Sequence, residues 1–112
     1  MRTLLLSLVF GLAARAEEVR VYYGTADDAV SAMLDAREVF SHIPEYATIV
    51  KQGYSKQAPE YWILLERANR RFYAALHRVA RRLRLATVVE GRGRAGTDAE
   101  DVTPLVVAEL SR

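Results

Sequence analysis

Three glycines near the end of the sequence are the residues most suggestive of chemistry. Gly91, Gly93 and Gly96 form the pattern G-x-G-x-x-G behind a short apolar run, and in dinucleotide-binding domains this pattern lets the backbone approach a pyrophosphate. That chemistry needs a helix that begins inside the motif and an acidic residue about 20 positions further on. Only sixteen residues follow Gly96, and the helix-start signal Thr103-Pro104 lies beyond the last glycine. We therefore interpret the motif as part of a glycine-rich surface turn and not as a nucleotide site.

The other residue types favour no catalytic, metal or cofactor site. The chain has no cysteine, and its two histidines, His42 and His77, are not spaced with further ligands as a metal ion requires. The serines lack the G-x-S-x-G context of a nucleophile elbow, and the acids before the last helix lack the spacing of a calcium loop. Two arginines in the glycine-rich turn are too few for a nucleic-acid segment. We predict a protein that is not an enzyme and has no metal, cofactor or nucleic-acid partner.

The first sixteen residues have the layout of a secretory signal peptide. A positive start is followed by an apolar stretch from Leu4 to Ala13 and by the small-x-small site Ala14-Arg15-Ala16. The stretch is shorter than the roughly 20 apolar residues of a membrane-spanning helix, and no cysteine is present to carry a lipid. We predict export, cleavage after Ala16 and a mature chain of residues 17–112 that forms a single domain.

Charge is segregated along the mature chain. Loss of Arg2 and Arg15 leaves 14 basic residues against 14 acidic ones, so the net charge falls from +2 to zero. Acids dominate residues 17–50 and 98–109, whereas residues 66–84 carry seven arginines and one acid. Such segregation concerns intermolecular contacts and steering more than the fold.

Local sequence signals predict a helix-dominated α+β fold with a small sheet, a helical hairpin or coiled-coil arm and a short C-terminal helix. Thr25 is predicted to cap the first helix, Gly53 to end the second, and Thr103 to cap the last. In chain order we predict a strand at 19–23, a helix at about 26–40, a helix at 44–52, a long helix from Pro59, a strand at 85–90, a turn at 91–98 and a helix from Thr103.

The long helix carries two patterns that bear on function. A seam of mostly large apolar residues recurs at spacings of 3 and 4, with a polar member, Asn69, that we interpret as a residue that fixes register or oligomeric state. This predicted assembly seam comprises Trp62, Leu65, Asn69, Phe72, Leu76, Val79 and Leu83. The outer positions carry Arg67, Arg70, Arg71, Arg78, Arg81 and Arg84. These arginines either form a solvated face paired with the acidic half of the chain or contact an anionic partner such as a lipid headgroup, lipopolysaccharide or an acidic client.

The aromatic residues of the middle of the chain also leave two interpretations open. Large aromatic side chains dominate protein cores and helix pairs, and an exposed set would instead offer an apolar surface to unfolded clients. The residues are Phe40, Tyr46, Tyr54, Tyr61, Trp62, Phe72 and Tyr73.

Three segments together resemble the Skp/OmpH family of periplasmic chaperones. REVFSHIPEY, residues 37–46, is similar to the family's V-F-x-x-x-P-E segment, which follows the first strand. Residues 66–91 are similar to the returning helix that runs into a D-L-V-V strand, and DVTPLVVAEL, residues 101–110, is similar to the closing D-I-T-x-x-V-I-x-x-L helix. The three segments cover roughly half of the mature chain and occur in the family's order.

The resemblance implies a homotrimeric chaperone that holds unfolded outer-membrane or envelope proteins without ATP and has no catalytic residues. The chain departs from the family in three places: its helical arms are short or absent, residues 24–35 look like an insertion, and residues 92–98 lack the apolar character of the family's last strand. The alternative is an envelope structural or adaptor protein that kept the family's body without the holding activity.

Overall fold

The computed structural model describes residues 20–25, 30–91 and 99–112, which contain four helices and four short strands. In chain order the elements are β1 (Val21–Tyr23), β2 (Ala32–Leu34), α1 (Ala36–Ser41), α2 (Pro44–Gln52), α3 (Pro59–Leu83), β3 (Val88–Glu90), β4 (Glu100–Asp101) and α4 (Thr103–Glu109). The predicted helix-dominated α+β class is confirmed. The predicted signal peptide lies outside the described residues, as do Gly93 and Gly96 of the glycine motif.

The four strands form one small mixed sheet in the order β1-β3-β2-β4. β3 runs antiparallel to β1 and parallel to β2, and β2 also runs parallel to β4. β2 is therefore paired along both edges, with Met33 opposite Val89 on one side and Asp101 on the other. The sheet brings three distant parts of the sequence together and fixes where the helices leave it.

The prediction of a helix at about 26–40 is wrong where the structure forms β2. Residues 26–29, including Asp28, lie outside the described residues, and Thr25 is in coil. Ala32 and Leu34, two residues apart, are both completely buried. This alternation is typical of a strand, but the apolar residues around it also fit the spacing of a helix, which led to the wrong prediction. Pairing with β3 and β4 supplies hydrogen bonds that a helix would have made internally, so tertiary context overrides the local pattern.

The helix that follows β2 begins one residue after a side-chain cap. Asp35 Oδ1 accepts hydrogen bonds from the backbone N–H groups of Arg37 and Glu38, at 3.0 and 3.3 Å. Such a cap satisfies amide groups that lack an intrahelical partner. The predicted helix at 44–52 is confirmed as α2, with its proline in the first turn, and Gly53 ends it in the left-handed conformation at φ 69°.

The long predicted helix is confirmed as α3, which spans 25 residues. Its C-cap is Arg84, at φ 58° and ψ 45°, and the Leu85 N–H donates to the carbonyl oxygen of Ala80. Residues 84 and 85 thus complete the end of the helix, and the strand predicted at 85–90 is confirmed only over β3. Arg84 is a non-glycine residue in the left-handed region, which is uncommon.

The last helix begins close to its predicted start, but its cap is different. α4 includes Thr103, and Val102 is the N-cap without a side-chain hydrogen bond. The Thr103 hydroxyl instead donates to Asp101 Oδ1 at 2.6 Å and accepts the Asp35 N–H at 2.9 Å. Thr103 therefore connects α4 to the turn after β2. The prediction that Thr103 caps the helix is wrong. β4, two acidic residues long, was not predicted, because Glu and Asp are depleted in strands.

The core lies between the sheet and the helices. Phe72 is 1% exposed, and Leu34, Val88 and Val106 are fully buried around it. The cluster of buried residues comprises Ala32, Leu34, Val39, Ile43, Ala68, Phe72, Ala75, Leu76, Val79, Val88, Val102 and Val106. Five of its members belong to α3, so the long helix is the element around which the others pack.

Candidate functional site

The surface of α3 brings together most of the residues that the sequence singled out. Its buried stripe consists of Ala68, Phe72, Ala75, Leu76, Val79 and Ala80. These residues lie in the C-terminal two thirds of the helix, and β1, α1, α2 and α4 all contact α3. The N-terminal part, from Pro59 to Arg67, contributes no buried residue and leaves its side chains accessible.

The seven residues of the predicted seam are divided between these two environments. Phe72, Leu76 and Val79 are buried in the core of the chain itself. Leu65 is half-buried, Asn69 is exposed, and Trp62 and Leu83 are 53% and 39% exposed. Three alanines that the sequence analysis did not single out, Ala68, Ala75 and Ala80, complete the buried stripe. The face of α3 that packs on the core is therefore displaced from the predicted seam. Assembly through the remaining seam residues stays a prediction.

Three exposed apolar residues lie near the outer end of the hairpin formed by α2 and α3. Val50 on α2 is 66% exposed, and Trp62 and Ile63 on α3 are each at least half exposed. The Trp62 indole N–H donates to the Lys56 carbonyl oxygen at 2.7 Å, and its ring contacts Tyr61 edge to face at 4.9 Å. We call Val50, Trp62 and Ile63 the hairpin-tip surface. Trp62 is therefore held in place although its ring remains accessible to solvent.

The aromatic residues of the middle of the chain are divided between the core and the surface, and a role of the exposed ones in binding clients stays a prediction. Phe40, Tyr22 and Tyr73 contact Phe72 with ring centroids 5.0, 5.6 and 4.9 Å away. Tyr22 donates to Glu90 Oε1 at 2.7 Å, and burial, reinforced by this hydrogen bond, raises the pKa of Tyr22 to about 12. These rings fix α3 against the sheet and α1. Trp62, in contrast, has no contact with that cluster in the described structure.

The predicted arginine face is part ion-paired and part free. Arg70 pairs with Glu66 on the same helix, and Arg71 Nε lies 2.9 Å from Glu45 Oε1 on α2. Oε2 of Glu45 accepts the hydrogen bond from Arg71, and Oε1 is buried without one. Arg67 and Arg81 form no ion pair with any residue that the structure describes. The expected pairing with the acidic half of the chain therefore holds for Arg71.

A buried carboxylate on α4 forms ion pairs with two further arginines of α3. The Glu109 side chain is 6% exposed and accepts from Arg78 Nε at 2.8 Å and from Arg82 at 3.1 Å. These two hydrogen bonds hold the pKa of Glu109 below its ordinary value. Arg112 Nε lies 3.9 Å from the same carboxylate. Sequence reasoning missed Glu109, Arg82 and Arg112 as site residues, since nothing in the spacing predicts that the closing helix packs beside the arginines of α3.

The remaining polar residues provide no evident catalytic set. His42 contacts Glu38 at 3.2 Å across one turn of α1, and His77 packs edge to face with Tyr23 at 5.3 Å. Within the part of the chain that the structure describes, no three potential ligands come together to hold a metal ion. No helix of the described ranges is long and apolar enough to cross a bilayer. The absence of enzymatic activity stays a prediction.

Comparisons with known proteins identify no relative of this chain. A scan of protein-family models, a search of curated proteins and a search of solved structures each gave no significant match. Membership of the Skp/OmpH family therefore stays a prediction.

Proposed function

We propose that this chain is a non-enzymatic, ATP-independent holdase-type chaperone that binds unfolded envelope proteins. The observation that carries the proposal is the hairpin-tip surface. Val50, Trp62 and Ile63 lie on two ordered helices that project from a well-packed core, yet each keeps half or more of its side chain in water. Exposed apolar patches on soluble proteins mark interaction surfaces. An unfolded chain supplies the complementary apolar side chains.

The order of elements is a second line of support. In the resembled family the V-F-x-x-x-P-E segment follows the first strand directly, and β2 lies immediately before this segment here. Residues 24–35, which looked like an insertion after the first strand, include β2, so the segment follows a strand here as it does in the family. The proposal includes export to the periplasm and a homotrimeric assembly, both of which the resemblance and the N-terminal sequence imply.

One observation favours the alternative of a structural or adaptor protein. α2 has nine residues and α3 has 25, so the hairpin is short, and much of α3 is used to build the core. A short hairpin encloses less space for a client than long arms would. An adaptor would bind one folded envelope partner through the same surface and would not protect unfolded proteins in general.

The deciding experiment measures aggregation of an unfolded outer-membrane protein diluted from urea, with and without an excess of the mature chain. We expect the mature chain to suppress light scattering. The double variant Val50→Gln/Ile63→Gln should lose most of this effect, because it removes apolar surface while keeping good helix-forming residues. The matched control is Leu105→Gln, which changes an exposed apolar residue on α4, away from the hairpin tip.

The outcomes separate the two functions. Suppression by the wild-type chain and by Leu105→Gln, with loss in the double variant, supports the holdase. No suppression at an excess of the wild-type chain contradicts the holdase and favours the adaptor. Thermal unfolding of each variant, followed by circular dichroism, checks that the substitutions leave the fold intact, as expected for side chains that are already exposed.

A further inference from the structure

A small cleft lies between the middle of α3 and the end of the chain. It has a volume of about 210 Å³ and is lined by Arg71, Ala74, Arg78, Leu110 and Arg112. Pockets for drug-sized ligands usually span about 300–1,000 Å³, so this cleft suits a smaller ligand. Three of its five lining residues carry guanidinium groups, and this composition is complementary to an anion.

The arginines of the cleft retain hydrogen-bond donors for a ligand. Arg71 and Arg78 contact their carboxylate partners, Glu45 and Glu109, through Nε. Their terminal nitrogens, which carry four of the five N–H groups of a guanidinium, have no acceptor among the described residues. Arg112 is 70% exposed, and its 3.9 Å distance to Glu109 is too long for a hydrogen bond.

The hydrogen-bond donors that remain around the cleft favour a ligand with several acceptor oxygens. Arg82 donates to Glu109 but does not line the cleft, and the carboxylates of Glu45 and Glu109 offset the charges of Arg71 and Arg78. The terminal nitrogens of Arg71 and Arg78 and the guanidinium of Arg112 stay available to a ligand. A phosphate monoester carries a charge of about −1.5 to −2 and three acceptor oxygens, and guanidinium groups bind such oxygens in pairs. A simple carboxylate would offer only two oxygens.

We propose that this cleft binds the phosphate group of a phosphomonoester. The terminal nitrogens of Arg71, Arg78 and Arg112 donate to the phosphate oxygens, and the ester carbons lie against Ala74 and Leu110. The phosphate belongs either to a small soluble ester or to a lipid headgroup of the phosphatidic acid type. The proposal is independent of the holdase function, because the cleft contains no residue of the hairpin-tip surface.

Calorimetric titration of the purified chain with glycerol 3-phosphate at constant ionic strength tests the proposal. We expect saturable binding at one site per chain. Arg112→Gln should weaken it roughly tenfold, the effect of losing a charge-assisted hydrogen bond, and Arg112→Lys should weaken it less because the charge remains. The matched control is Arg81→Gln, which removes an exposed arginine of α3 outside the cleft and should leave the affinity within about twofold.

Several results would overturn the proposal. The first is an absence of saturable binding, and the second is an equal loss in Arg112→Gln and Arg81→Gln, which indicates diffuse electrostatic attraction. Equal affinity for acetate would contradict the phosphate class. Arg112 is mostly exposed, so its variants should fold, and their thermal unfolding checks this directly.

Flotation with vesicles distinguishes the two sources of the phosphate. Binding to phosphatidic acid vesicles but not to phosphatidylcholine vesicles, lost in Arg112→Gln, supports the cleft and assigns it to a headgroup. Binding of glycerol 3-phosphate without vesicle binding supports the cleft and assigns it to a soluble ester. Vesicle binding that Arg112→Gln leaves unchanged, together with no binding of the soluble ester, contradicts the proposal.

Discussion

The environment of the Glu109 carboxylate differs from what the position of this residue in the sequence suggests. An acidic residue in the last turn of a helix is unfavourable next to the negative end of the helix dipole. Here hydrogen bonds from Arg78 and Arg82 offset this cost and connect α4 to α3 at a point where the side chain is almost fully buried. Glu109 is thus a structural residue that also keeps Arg78 of the proposed phosphate cleft in position.

Stability should fall in acid because of Glu109. The folded pKa of its carboxyl is below the ordinary value of 4.5, since Arg78 and Arg82 donate hydrogen bonds to it. A lowered folded pKa stabilises the fold above the unfolded pKa, and this contribution is lost as the pH falls through the folded pKa. We expect the thermal midpoint of the wild-type chain to drop below about pH 4.5 more steeply than that of Glu109→Gln.

The comparison is made by thermal unfolding between pH 3 and pH 7. At neutral pH Glu109→Gln should be less stable than the wild-type chain, because two arginines lose their charged partner, and the difference should shrink toward pH 3. The control is Glu66→Gln, which removes an exposed carboxylate that pairs with Arg70 within α3. A constant difference across the range would show that the Glu109 pair does not stabilise the fold by its charge.

At the scale of elements, two glycines in the left-handed conformation provide a matched test of how the turns are built. Gly53 ends α2 at φ 69°, and a Cβ there would meet no atom within 4 Å. Gly24 follows β1 at φ 83°, and a Cβ there would overlap the backbone carbonyl oxygen of Ala86. The first glycine is needed for its backbone conformation alone, and the second also for close packing.

We expect Gly53→Ala to lower the free energy of unfolding by about 1 kcal/mol, the cost of a left-handed residue with a Cβ. Gly24→Ala should cost clearly more, because the backbone around Ala86 must also move away from β1. Urea unfolding of both variants measures the two costs. Equal losses would show that the approach of Gly24 to Ala86 does not constrain the turn.

Sequence reasoning predicted the elements with local signals and missed those that depend on distant partners. α2 and α3 have prolines in their first turns and, in α3, a long apolar period, so both were found. β2 was predicted as a helix because its few apolar residues fit either period, and only pairing with β3 and β4 distinguishes them. The site residues divide in the same way. The arginines of α3 other than Arg82 were predicted, whereas Arg112 and Glu109 were not, because only tertiary packing brings the end of the chain beside α3.

At the scale of the whole molecule, the exposed part of the predicted seam bears on assembly. Phe72, Leu76 and Val79 are used in the core of one chain, so a partner helix can contact Leu83 at one end of α3 and the N-terminal part of the seam at the other. Leu65 and Asn69 lie there on the same side of α3, one half-buried and the other exposed. A small domain without disulfides gains stability from association, and a polar residue in such a seam can fix the number of chains.

We therefore expect the mature chain to have a solution mass near three times that of a monomer, measured by light scattering after size-exclusion chromatography. Leu65→Lys should yield monomers, because it places a charge in the contact between helices. The control Ile63→Lys introduces the same charge on the far side of α3 and should remain trimeric. A monodisperse monomer for the wild-type chain would contradict the trimer. Trp62 belongs both to the seam and to the hairpin-tip surface, so a trimer formed through the seam leaves Val50 and Ile63 for clients. If instead both variants dissociate, the contact also includes Ile63, and clients would then have to bind elsewhere on the trimer.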